Sequence, residues 1–149
     1  MIFDRTQNDV DAAIALRREK VQSFAPLTDE EVAVLEKGFL TINTLNRIES
    51  KQAELDLLFD EMGYRGEPIT TVQWTETQII TIEDFERLLE NTEKLKRRFL
   101  AYKSTPVTPL FMLDYTEVNA VEKILHDLSA MATEVQGNFR FCGTFESGE

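Results

Sequence analysis

The stretch Leu113–Leu128 reads LDYTEVNAVEKILHDL, and an earlier one, Leu40–Leu55, reads LTINTLNRIESKQAEL. Both follow the pattern L-x-x-x-x-[LV]-N-x-[IV]-E, which puts an Asn and a Glu in the opening turns of two helices: Asn46 with Glu49, and Asn119 with Glu122. An α-helix turns about 100° per residue. With Asn119 at zero, Val118, Val121, Ile124, Leu125, Leu128, Met131 and Val135 gather on the opposite side. The same construction sets Asn46 opposite Leu45, Ile48, Leu55, Phe59 and Met62, and leaves Leu57 as the large apolar residue on the outer side. These stripes predict a helical core that does not itself require the Asn/Glu pairs. The pairs are either solvated helix surface or groups that contact something polar, such as a neighbouring loop's backbone or another subunit. The second reading makes Asn46, Glu49, Asn119 and Glu122 candidate polar docking groups. Their common offset (119 − 46 = 73 residues) fits an old duplication and a coincidence of helix-start chemistry equally well.

Outward from these helices, the remaining elements follow from caps and breakers. A first helix is expected from about Asn8 to Gln22, with Val10, Ile14, Val21 and Phe24 roughly on one face. Thr28 and Glu31 have the spacing of a capping box and open a short helix ended by Gly38. The helix after Thr41 or Asn43 runs to Met62, with Gly63 as its stop. Thr70–Thr75 breaks the helical pattern and leans towards strand. Thr81 and Asp84 open a helix reaching about Tyr102, lined by Ile82, Phe85, Leu88, Leu89, Leu95 and Phe99. Pro106 and Pro109 mark a rigid connector. Asp114 and Glu117 then cap the last helix, closed by Gly137. Residues 138–149 alternate Phe139, Phe141 and Phe145 around Gly143, which is strand chemistry. The expected architecture is one mainly α domain over residues 1–149, a bundle of about four helices with a β-leaning loop and C-terminal tail.

Composition narrows the function classes. The formal net charge is -11, from 27 acidic and 16 basic residues, and this opposes nucleic-acid binding, which is driven by Lys and Arg neutralising phosphates. The basic run Lys94–Arg98 falls where it complements a helix C-terminus and reads as a solvated helix end. A single cysteine, Cys142, allows no intrachain disulfide; its aromatic neighbours suggest a buried structural thiol. No segment approaches the roughly 18 apolar residues of a membrane span, and the N-terminus is acidic where a signal peptide is basic. The expected site of synthesis is therefore the cytoplasm.

Catalytic motifs are missing. The lone His126 sits beside Asp127 on what reads as the polar side of its helix. No H-x-x-x-H, C-x-x-C or calcium-loop spacing occurs, and no phosphate-binding glycine loop or nucleophile elbow. The abundant carboxylates specify no facing pair of the kind a glycosidase uses. No catalytic residue, cofactor, metal or small-molecule substrate is expected, and the chain reads as a non-enzyme. Trp74 is either an anchor folded onto the helices or an interface residue. A short terminal strand cannot stand alone. The tail therefore pairs either with Thr70–Trp74 of its own chain or with the sheet edge of a neighbour. Trp74, Phe139, Phe141 and Phe145 are the candidate apolar anchors.

In order along the chain, FDRTQNDVD (Phe3–Asp11), Leu45-Asn46-Arg47-Ile48-Glu49, Trp74 before a Thr81-capped helix containing Asn91, the connector Thr105-Pro106 to Pro109, the second Asn/Glu helix (Tyr115–Leu125), and Phe141-Cys142-Gly143 through Gly148-Glu149 form a succession. It resembles a family of small proteins and domains from phages and prophages of Gram-positive gut bacteria, usually encoded among tail and baseplate genes. This chain departs from that pattern with Ile80 before Thr81, where Pro is frequent, and with Asn43-Thr44 before LNR. The resemblance implies a virion structural or adaptor role in the baseplate or tail-fibre region. Its expected partners are itself or other tail proteins, its location the virion tail, and it brings no catalytic residues. Two other classes remain open: a soluble acidic regulator of a host or phage protein, and an enzyme acting on cell-wall glycans.

Overall fold

Threonine sets most of the helix starts. In the computed structural model, Thr6, Thr28 and Thr81 each accept a hydrogen bond from the backbone N–H three residues on, at Asp9, Glu31 and Asp84. The carboxylates of those residues accept in return from the threonine N–H groups. Two of the N–H groups that a helix start leaves unpaired are thereby satisfied. These boxes open α1 (Gln7–Ser23), α2 (Asp29–Gly38) and α4 (Ile82–Arg98). Thr41 caps α3 (Ile42–Glu61) through the Thr44 N–H, and the Asp114 N–H donates to Glu117 just before α5 (Tyr115–Cys142). The structure describes residues 1–99, 102–112 and 114–142, the side chains of 139–142 excepted.

The chain is mainly helical, as expected, with five helices and no strand among the described residues rather than about four helices and a β-leaning loop. Gly63 stops α3 as its spacing predicts. At φ 85° it lets its own N–H reach Asp60 and the Tyr64 N–H reach Phe59, which satisfies the last carbonyls. Gly137 stops nothing, since α5 runs through it to Cys142. Residues 138–142 are thus helical, and Phe139 and Phe141 belong to a helix rather than a strand. Their side chains, with Phe145, Gly143 and the Cys142 thiol, lie outside the described residues. Thr70–Trp74, one of the two partners expected for the tail, forms no strand, and its backbone is bound by helix side chains. α4 ends at Arg98 rather than Tyr102, because Phe99 turns to extended geometry. There its ring lies 4.8 Å from both Phe59 and Tyr64.

α3, α4 and α5 pack on one another around Leu45, Ile48, Leu55, Phe59, Leu88, Leu95, Val121, Ile124, Leu125 and Leu128. Arg98 ties the end of α4 to α3 by pairing with Asp56 and Asp60, so the basic run is more than a solvated helix end. Ile82 is 73% exposed instead of lining the inner face of α4.

α1 and α2 pack on each other as an antiparallel arm that supplies no side chain to this core. None of Val10, Ile14, Val21 and Phe24, expected roughly on one face of α1, is buried. The buried position is Ala13, while Val21 is 65% and Phe24 92% exposed. Gly38 explains the choice. A methyl group there would stand 2.3 Å from the Ala13 Cβ and 2.4 Å from the Asp9 carbonyl oxygen, so the two helices touch through their smallest residues. α2 does end at Gly38, as its spacing predicts, and the residue serves close approach there rather than a left-handed cap.

Gly38→Ala should destabilise the protein by about 1–3 kcal/mol in urea unfolding, because backbone must move to admit the methyl. Gly137→Ala meets nothing within 4 Å and should stabilise it by about 0.5–1 kcal/mol.

Candidate functional site

The repeated Asn and Glu occupy equivalent places in the fold, and both pairs are spent inside the chain. On α3, the Asn46 Oδ1 accepts from the Trp74 N–H at 2.7 Å and its Nδ2 donates to the Trp74 carbonyl at 3.0 Å. Only a carboxamide carries a donor and an acceptor side by side on one plane. One asparagine therefore pairs both backbone groups of a single residue outside any helix or strand, as an adjacent strand would. One turn later, Glu49 accepts from the Val72 N–H at 3.1 Å and from the Trp74 indole N–H at 3.1 Å. Both oxygens of Glu49 also receive Arg87 of α4, at 2.6 and 2.9 Å. Asn91 and Arg87 donate to the Thr70 carbonyl, closing the remaining part of the segment.

On α5 the same device holds the N-terminal segment. The Asn119 Oδ1 accepts from the Arg5 N–H at 3.2 Å, and its Nδ2 donates to the Arg5 carbonyl at 2.9 Å. Glu122 takes the Arg5 guanidinium on one oxygen and Arg47 Nε, at 2.7 Å, on the other. Arg47 belongs to the same LNRIE run as Asn46 and Glu49, so this short run serves both clasps. Glu49 and Glu122 are buried, at 2% and 0% exposure. A buried carboxylate is tolerable only when paired and hydrogen-bonded, and each of these has an arginine.

Asn46, Glu49, Asn119 and Glu122 are therefore corrected from docking groups to internal clasps. They point away from the apolar stripes, as the helix geometry requires, but extended chain covers that side. A neighbouring loop's backbone, one of the two polar contacts expected, is what they meet. Trp74 is buried at 6% exposure, so it is a core anchor and no surface contact. The repeat pattern missed the partners Arg5, Arg47 and Arg87. Arg5 and Arg47 lie within the quoted FDRT and LNRIE runs, but nothing in periodicity marks Arg87. Also unforeseen was the buried network between α3 and α4. There the Gln52 Nε2 donates to the Leu88 carbonyl and to Thr92, and Asn91 donates to Gln52.

A second group of side chains fastens the α4–α5 connector. Thr105 donates to Asp127 at 2.8 Å, Thr108 to Glu93 at 2.6 Å, and Lys96 to the Pro106 carbonyl at 2.6 Å. Asp127, read from the sequence as part of a polar face, is 1% exposed because the connector covers it. Burial pushes its carboxyl up, yet hydrogen bonds from Lys123, Thr105 and His126 outweigh this and hold it below the ordinary aspartate range. The Thr108 hydroxyl, with help from Arg97, holds Glu93 low against desolvation.

At the base of the arm, Val10, Phe39, Leu40, Met112, Tyr115 and Val118 help wall a cavity of about 320 Å³. Arg5 also borders it, and its Nε and Nη2 are buried without a partner among the described residues. Among the described residues no group of three or more His, Cys, Asp or Glu converges as a metal ion would need, and no helix is long and apolar enough to cross a membrane.

Asn46→Ala and Asn119→Ala should each cost about 2–3 kcal/mol in urea unfolding, since each strands two backbone groups. Asn46→Asp should cost nearly as much, because a carboxylate repels the Trp74 carbonyl. Glu122→Ala should cost more, about 3–5 kcal/mol, by leaving Arg5 buried and unpaired. Acid should loosen the connector. Depressed carboxyls contribute stability that is present above their unfolded pKa values and lost as pH falls through the folded ones, here below about pH 4. Amide exchange of residues 102–112 should accelerate in that window, and Asp127→Asn should flatten the dependence.

Compared with protein-family models, characterised proteins and solved structures, the chain matches none.

Proposed function

We propose that this chain is a non-enzymatic structural or adaptor protein of a phage or prophage tail, in the baseplate or tail-fibre region, acting by docking to other proteins. The observation that carries the docking part is the arm. It stands apart from the core and exposes Val21, Phe24, Leu27, Val32, Val34 and Leu40 within twenty residues of chain. So many large apolar side chains left exposed along one arm favour its docking to another molecule. The connector adds Val107, Leu110 and Phe111, at 85, 84 and 63% exposure. Docking thus moves from the Asn/Glu pairs, whose bonding capacity is used internally, to the apolar arm and connector. The placement in a tail rests on the ordered resemblance of FDRT, LNRIE, Trp74, Thr81, the proline connector and the second Asn/Glu helix.

Mass spectrometry of purified particles from a lysogen carrying the gene tests this reading. The chain should be found in the particles and should co-elute with products of neighbouring tail genes. Its presence in the cytosol and absence from particles would overturn the tail assignment and favour a regulator.

A further inference from the structure

We infer that the α1–α2 arm docks face to face with the arm of a second copy of this chain, forming a four-helix bundle between the two. This rests on the docking reading above and names its first partner. At about 100° per residue, α1 carries two adjacent stripes. Asp9, Ala13, Leu16 and Lys20 turn towards α2, where Lys20 pairs with Glu31 and Ala13 abuts Gly38. The neighbouring stripe holds Val10, Ile14, Arg17 and Val21, and its outer part lines a groove with Phe39. In an antiparallel hairpin, the corresponding stripe of α2 falls on the same side. That stripe holds Asp29, Val32 and Glu36.

This face is apolar along its centre and charged along its edges, with opposite signs on the two helices. Arg17 lies over the Phe39 ring, and neither it nor Arg18 has a carboxylate partner among the described residues. Asp29 has no cation partner among the described residues. α1 balances Asp9, Asp11 and Glu19 against Arg17, Arg18 and Lys20, whereas α2 sets Asp29, Glu30, Glu31 and Glu36 against Lys37 alone. Two α2 helices therefore repel each other, whereas α1, neutral overall, offers Arg17 and Arg18 to α2. A two-fold axis along the arm lays α1 of one copy antiparallel to α2 of the other. The Lys20–Glu31 and Ala13–Gly38 contacts fix the register (20 + 31 = 13 + 38 = 51), which sets Arg17 level with residue 34. Arg17 and Arg18 then face Glu36 and Asp29 of the second copy, and Val21 and Val32 of both copies are covered. The contact is isologous, so it closes on two copies.

Sedimentation of the full chain at about 100 µM, where a micromolar dimer is populated, is the test. Wild type should run near twice 17.2 kDa, and Val21→Asp near 17.2 kDa. Arg17→Glu with Arg18→Glu should be monomeric, and so should Asp29→Arg with Glu36→Arg. An equimolar mixture of those two variants should recover the dimer, because each then meets opposite charge in both contacts. Circular dichroism should show all variants folded, since none of these residues enters the core. A wild-type monomer, a dimer indifferent to Val21→Asp, or a mixture that stays monomeric would each overturn the pairing. A monomer still found in purified particles would leave the docking reading standing and put another apolar, acid-edged helix in the groove.

Discussion

Asn46 and Asn119 each hold the N–H and the carbonyl of one extended residue, Trp74 and Arg5 respectively, and much of the remaining arrangement depends on that exchange. Extended chain lying against helices has no strand to pair with, and each unpaired backbone group under cover costs about 1–3 kcal/mol. A helix cannot lend its own backbone, which is bonded along its axis. Its side chains can, and an asparagine in an early turn supplies both halves of a ladder pairing. The following glutamate, one turn on, fixes the neighbouring groups and needs a cation to be buried. Asn, Glu and arginine thus act as a unit, used once to seat residues 70–74 between α3 and α4 and once to seat the N-terminal segment on α5.

This unit also connects the arm to the body. Arg5 immediately precedes the Thr6 cap of α1, so the clasp on Arg5 sets where the arm begins. Arg47 passes from α3 to Glu122 and joins the two clasps into one network. The arm itself adds nothing to the apolar core, and it meets its own partner helix through Ala13 and Gly38. A strongly held root and a lightly packed, apolar arm are what a docking element needs: fixed in position, with its surface left for another molecule.

The helices were legible in the sequence because their signals are local. Thr28/Glu31, Thr81/Asp84, Thr41 and Gly63 each act within one turn, and the apolar stripes of α3 and α5 repeat at helical period over several turns. What was not legible is long-range. Outward direction from a helix axis says which side a residue takes but not what covers that side, so Glu49 and Glu122 read as surface and proved buried. The stretch Thr70–Thr75 has the residue preferences of a strand but forms none, because its pairing partners are side chains. Nothing local in α1 marks Ala13 as its buried position, because close packing there is set by Gly38 on another helix. At residues 138–142 period-two alternation was too short a signal to outweigh a helix already propagating from Tyr115.

The central claim is that two residues outside any helix or strand are bonded as firmly as the core. Native-state hydrogen exchange of the Arg5 and Trp74 amides measures this directly. The account predicts protection close to that of the α3 and α5 core amides, on the order of 10³-fold or more over free chain, and its loss when the corresponding asparagine becomes alanine. Exchange of both amides at the rate of an open loop, in the folded wild-type protein, would contradict it.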